Sequence, residues 1–262
     1  MKTVTSKDGT RIAFDQVGTG PVIILVDGAL QYRAFDQGMA ELANLLSPHF
    51  TVIHYDRRGR GDSTDMQPYA LEREIEDIEA LIDAVGGSAS LYGISSGAAL
   101  AMQAAMALPD RVKKLAMYEA PYNHDANTRK AWREYREQLS HLVAAGRGGD
   151  AVGLFMMLVG ASSEDVKGMR RHPMWPLWEA VGLTLAYDAA ALGEEADVPA
   201  EQAARVTMPA LVMNGSASFP FMHTMAVALA KAMPKGKHQT LEGQTHEVTA
   251  EALAPVLVEF FK

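Results

Sequence analysis

A serine set between two glycines, Gly93-Ile94-Ser95-Ser96-Gly97, is the feature of this sequence best suited to chemistry. A free hydroxyl is a weak nucleophile, so Ser95 needs three things: exposure on a sharp turn, a base for its proton, and donors for the negative charge its attack creates. The pattern lies where a β-rich run, Ala89 to Tyr92, meets a helical run of small residues, Ser96 to Leu108. That strand-turn-helix setting is the one a nucleophile elbow requires. The flanking glycines then have a steric reason, because a side chain at either position would strike the neighbouring strand or helix. The amide of Ser96, at the start of the helix and helped by its dipole, is expected to bind the developing oxyanion. A second amide is expected from Gly28 or Ala29, in Asp27-Gly28-Ala29 at the end of the run Val22 to Val26. Alone, the five-residue pattern suits an ordinary glycine-rich turn equally well, and its context tips the balance towards catalysis.

The elements that must position these groups are legible in the periodicity. Arg11 to Val17, Val22 to Val26 and Thr51 to Tyr55 read as strands, and the unbroken apolar run at Val22 predicts a strand covered on both faces. Helical spacing follows at Phe35 to Leu46 and Leu71 to Val85. After the elbow come strands at Lys114 to Tyr118, Ala210 to Met213 and His238 to Leu241, and a closing helix from Glu247 to Phe261. This alternation predicts a doubly wound, mostly parallel α/β sheet. Residues 122–206 break it, reading as helices near Thr128 to Ala145, Asp150 to Val159 and Pro176 to Ala191 without a strand. We expect a core of residues 1–121 and 207–262, and a helical cap of residues 122–206 over the carboxyl ends of the strands, where ligands of such sheets bind.

Where a serine sits on such an elbow, its partners come in the chain order serine, acid, histidine. Of eight histidines, His246 is the one in the loop after the last strand, which makes it the expected base. His124, His172 and His223 are weaker candidates for contact with a substrate. The usual place for the acid is the loop after the strand Ala210 to Met213, but Asn214-Gly215-Ser216-Ala217-Ser218-Phe219-Pro220 holds no carboxylate. Tyr118-Glu119-Ala120-Pro121, after the preceding strand, offers Glu119 instead. The loop Asp56-Arg57-Arg58-Gly59-Arg60-Gly61-Asp62-Ser63 reads as a tight turn with structural or solvated arginines, not as a phosphate site.

Composition bounds the remaining classes. With 262 residues, 48% of them hydrophobic and 21% charged, the chain suits one α/β core with an insertion. A net charge of -8 argues against nucleic-acid binding. No apolar run reaches the roughly 20 residues of a membrane span, and the start lacks a signal-peptide pattern, so a cytoplasmic protein is expected. Cysteine is absent, which excludes disulfides, thiolate metal sites and a cysteine nucleophile.

These motifs resemble the α/β-hydrolases and, within them, the fungal zearalenone lactonases. The elbow with its second serine and Ala98, Glu119 before Ala120-Pro121, and Asp27-Gly28 carry the resemblance, and Pro176-Leu177-Trp178 is similar to the family's tryptophan-bearing cap segment. The resemblance implies an α/β-hydrolase fold with the cap inserted after the sixth strand and a triad of Ser95, His246 and Glu119. The expected substrate is a small apolar ester or lactone, acted on without metal or organic cofactor by a monomer or homodimer. Trp175, Trp178, Met157, Phe219 and Phe221 are expected to line its pocket. Carbon-carbon hydrolysis or perhydrolysis on the same triad, and a receptor or carrier with little turnover, are the alternatives. Epoxide hydrolases and dehalogenases need an aspartate where Ser95 stands.

Overall fold

A computed structural model describes residues 1–262. Eight strands, β1 (Lys2–Thr5), β2 (Arg11–Val17), β3 (Val22–Val26), β4 (Thr51–Tyr55), β5 (Ala89–Ile94), β6 (Val112–Tyr118), β7 (Ala210–Gly215) and β8 (Gly236–Leu241), form one sheet. Their order is β1-β2-β4-β3-β5-β6-β7-β8. Only β2 runs against its neighbours, and every pair from β4 to β8 is parallel. Parallel neighbours need crossovers, supplied first by α1 (Gln37–Leu46), α2 (Leu71–Ala84) and α3 (Ser96–Ala107). Between β6 and β7 lie α4 (Ala126–Ala144), α5 (Gly148–Leu158), α6 (Ser163–Met169), α7 (Trp175–Val181), α8 (Leu185–Leu192) and α9 (Ala200–Ala203). α10 (Pro220–Ala232) joins β7 to β8, and α11 (Ala250–Phe261) closes the chain.

Successive side chains of a strand face opposite sides, and β3 shows what that does here. Ile23 and Leu25 pack in one apolar cluster with Leu42 and Leu46 of α1 and Leu253 and Leu257 of α11. Ile24 and Val26 join a larger cluster with Ile78 of α2 and Leu100 of α3, which continues into Trp132, Val152 and Leu185 of the insertion. Each large side chain so removed from water contributes about 1.5–3 kcal/mol. The sheet is thus covered on both faces, and no helix is long and apolar enough to cross a membrane.

Several local expectations need correction. The stretch read as one helix from Pro176 to Ala191 is two, α7 and α8, separated by a 3-10 turn at Gly182–Thr184. There a β-carbon on Gly182 would collide with the carbonyl of Gly148, so the backbones of α5 and this turn meet directly. β1 was not anticipated, because as an exposed edge strand it carries no buried stripe. α6 opens with a capping box of Ser162 and Asp165, and α10 with Pro220 in its first turn, two start signals passed over in the sequence.

Candidate active site

The elbow is built by sterics. Ser95 sits at φ 55 and ψ -129 between β5 and α3, a conformation that costs a non-glycine residue about 1–3 kcal/mol. Its amide donates to Tyr118 O at 2.9 Å, which fixes the turn against β6. A β-carbon on Gly93 would meet Gly97 O and Ala98 Cα, and one on Gly97 would meet the carbonyls of Val26 and Asp27. Both glycines let β3, β5 and α3 approach at backbone contact.

Glu119 follows β6 with φ 46, also strained, and its side chain is buried under the β7 loop. Oε1 accepts from the Gly215 amide at 2.8 Å, and Oε2 accepts from Ser218 Oγ and lies 2.8 Å from His246 Nδ1. The carboxylate therefore fills the space beside the loop that has none of its own. The loop of His246 is held by Tyr118 Oη donating to Thr245 O at 2.5 Å and by the Ala217 amide donating to Gln244 O at 2.9 Å. Ser95 and His246 line one cavity, with no direct hydrogen bond between the hydroxyl and the imidazole. Such contacts commonly tighten only when substrate is bound.

The expected oxyanion donors divide. The Gly28 amide is already committed, donating to Gln31 Oε1 at 2.7 Å, while Gln31 Nε2 donates to Asp36 Oδ2 at 2.5 Å. Burial, with the charge of Asp27 adding to it, raises the pKa of Asp36 above the ordinary carboxylate range. Ala29 and Ser96 both border the cavity. The amide of Ala29 has no intramolecular acceptor, and that of Ser96 lies in the first turn of α3, where no helical carbonyl can take it. Asp27 turns away, its carboxylate 2.9 Å from Nε2 of the buried His54. Burial lowers the proton affinity of that imidazole, but Asp27 outweighs it and raises the pKa.

The cavity measures about 980 Å³, and 24 of its 39 lining residues are hydrophobic, so it suits an apolar ligand. Trp178, Phe219 and Phe221 line it, and Phe155 and Met156 face it from α5. Trp175 and Met157, expected there, do not. The Trp175 ring is buried edge-on to Trp178 with the Arg170 guanidinium over its face, and Met157 points to solvent. His124, His172 and His223 also lie outside the lining: His124 pairs with Asp197, His172 accepts from the Met174 amide, and His223 packs on His238.

A buried charge cluster beside the site was not anticipated. Arg57 donates from Nε and Nη2 to both oxygens of Glu74, at 2.7 and 2.9 Å, and from Nη1 to Asp188 Oδ1 at 2.5 Å. Arg60 Nη2 donates to Asp188 Oδ2 at 2.7 Å. The arginines are structural, as expected, but fully buried rather than solvated. One signal for their partner was available: Asp188 is the lone charge in Leu185-Ala186-Tyr187-Asp188-Ala189-Ala190-Ala191-Leu192.

A mostly parallel sheet with a serine on a strained strand-to-helix elbow defines the class as an α/β-hydrolase fold. The chain belongs to the alpha/beta hydrolase family, whose model matches residues 23–257. It is similar to an alpha/beta hydrolase from Sphaerobacter thermophilus, with 48% identity, full coverage of both chains and a TM-score of 0.87. A thermophilic esterase from Thermogutta terrifontis shares the fold at 21% identity and a TM-score of 0.71, over 99% of this chain and 97% of that one. Among curated proteins, a zearalenone hydrolase of Cladophialophora bantiana is 28% identical over 132 residues, 48% of this chain and 49% of that protein. One from Bionectria ochroleuca is 26% identical over 136 residues, 48% of this chain and 50% of that protein. The chain spans about half the length of these curated relatives.

Proposed function

We propose that the chain hydrolyses an apolar carboxylic ester or lactone through Ser95, His246 and Glu119. Ser95 Oγ attacks the carbonyl carbon while His246 Nε2 takes its proton, and the carbonyl oxygen becomes an oxyanion held by the amides of Ala29 and Ser96. Collapse expels the alcohol oxygen, which receives the proton from His246, and leaves an acyl-serine. Water, deprotonated by the same imidazole, then releases the acid and restores Ser95. For a lactone, alcohol and acid are two ends of one product. The nucleophile, the base, its acid partner and the oxyanion donors are all groups of the chain, and the helical insertion serves as the cap over the cavity.

The single observation that carries this reading is the 2.8 Å contact of buried Glu119 with His246 Nδ1. A bond from Nδ1 to the acid leaves Nε2 as the nitrogen free to take a proton, and His246 and Ser95 line the same cavity. The names of the curated relatives support a lactone among the substrates, and the apolar lining supports a hydrophobic acyl or ring portion. The test is turnover of short and medium nitrophenyl esters and of aromatic lactones, beside labelling by a fluorophosphonate. Ser95→Ala is expected to abolish both turnover and labelling in a folded protein. Rapid labelling of the unaltered chain without turnover of any ester or lactone would favour a receptor or carrier.

A further inference from the structure

Both loops that supply amides to the oxyanion in that reading are tied to the same buried cluster. Arg57 Nη1 donates to Asp27 O at 3.2 Å, and Arg60 Nη1 donates to Gly28 O at 2.5 Å and to Gln31 O at 3.3 Å. These bonds hold the backbone on either side of Ala29. On the elbow, Ser96 Oγ donates to Asp188 Oδ1 at 2.8 Å. The remaining donors to Asp188 are Arg57 Nη1 and Arg60 Nη2. One carboxylate, carried by α8 of the insertion, therefore links the Ala29 loop to the Ser96 turn.

We infer that Asp188 is a positioning residue for the oxyanion hole, setting the spacing of the Ala29 and Ser96 amides and making that spacing depend on how α8 seats on the core. This rests on the serine-hydrolase reading. The demand is geometric, since a transition-state donor misplaced by about 1 Å can cost on the order of a hundredfold in rate. A carboxylate suits the task because it accepts several directional bonds at once. Burial acts to raise its pKa, but Arg60 and Arg57 outweigh that and hold it below the ordinary range. The tie is therefore charged at any pH where the enzyme would work, and Arg60 is itself braced on α8's side by Nε donating to Thr184 Oγ1 at 3.0 Å.

The test compares the full chain with Ser96→Ala, Asp188→Asn and the double variant, measuring kcat and KM on a nitrophenyl ester and the rate of fluorophosphonate labelling. Ser96→Ala removes one tie and keeps the amide. Its expected effect is a fall of about tenfold in kcat and in labelling rate, with KM changed by less than about twofold. The pH profile should keep its shape, because His246 and Glu119 are untouched. Asp188→Asn should lose more, and the double variant no more than Asp188→Asn, since both changes cut the same link. Wild-type kcat and labelling in Ser96→Ala, a loss confined to KM, or losses that multiply in the double variant would each overturn the proposal. If Asp188→Asn does not fold, Ser96→Ala decides alone. If the unaltered chain is labelled but turns over no ester or lactone, the ester reading fails while the labelling rates still decide this one.

Discussion

Two buried carboxylates lie beside the elbow, one bonded to His246 and one to Ser96, and they are held in opposite ways. Glu119, from the end of β6, accepts from the neutral donors Gly215 N–H and Ser218 Oγ, and its one ionic partner is the His246 imidazole. Asp188, from α8, is paired with two arginines whose charge is permanent. An acid already neutralised by fixed cations has little attraction left for a transient charge, which suits it to the anchoring proposed for Asp188. An acid held by neutral donors keeps its field for the moment an imidazole becomes positive. The difference in partners, rather than in burial, separates the two proposed roles.

The largest test of this contrast removes the charge of Glu119 alone. Glu119→Gln keeps the shape, and kcat on a nitrophenyl ester is expected to fall by roughly two to four orders of magnitude with folding little changed. Near-normal turnover across a pH series would break the comparison at its first member. For the arginine cluster that holds the second member, a loss in stability is expected as well. Arg57→Met strips Glu74 of its bidentate partner and leaves a buried carboxylate exposed to no other full cation among its bonds. Removing one side of a buried pair costs about 3–5 kcal/mol, which urea unfolding reads directly. A loss under about 1 kcal/mol would show that the cluster anchors nothing.

How much of this was legible from residues alone follows the same division. β2, β3 and β4 match the expected runs residue for residue, and β3, covered on both faces, writes its burial as an unbroken apolar run. The elbow was legible since backbone contact admits only glycine at 93 and 97. Glu119 was reachable through a vacancy, the loop without an acid. The cluster at Asp188 was not: it joins Asp188 to arginines more than 120 positions away, and Ser96, expected to contribute only its amide, adds its hydroxyl as a further donor. Gln31 was missed for a related reason, as nothing local shows that its side chain takes the Gly28 amide.

Within the insertion, the two tryptophans offer a smaller contrast between lining and support. Trp178 borders the cavity beside Phe35, at 6.2 Å between ring centroids, whereas Trp175 is buried behind it. Trp178→Ala is expected to shift the ranking of bulky over short acyl substrates by about tenfold in kcat/KM. Trp175→Ala should leave that ranking near wild type and lower stability by about 3–5 kcal/mol. Competition assays with paired esters and thermal melts separate the two, and a reversed pattern would place the acyl pocket elsewhere.

The smallest expected effect comes from the neutral donors around Glu119, and it sharpens what neutral support contributes. Ser218 is half-buried and gives Oε2 one of its bonds, at 2.8 Å. Ser218→Ala deletes that donor, yet the carboxylate keeps the Gly215 amide and His246, and water can reach the vacated side. A bond to a charged group is worth about 1.5–3 kcal/mol when nothing replaces it, and solvent replaces most of it here. We expect kcat to fall only about two- to fivefold. The fall should disappear in the Glu119→Gln background, where the bond no longer orients a charge. Steady-state kinetics on the four proteins of this cycle measure the coupling. A loss above about a hundredfold for Ser218→Ala alone would mean that the hydroxyl, and not the carboxylate it supports, carries the polar contact on which His246 depends.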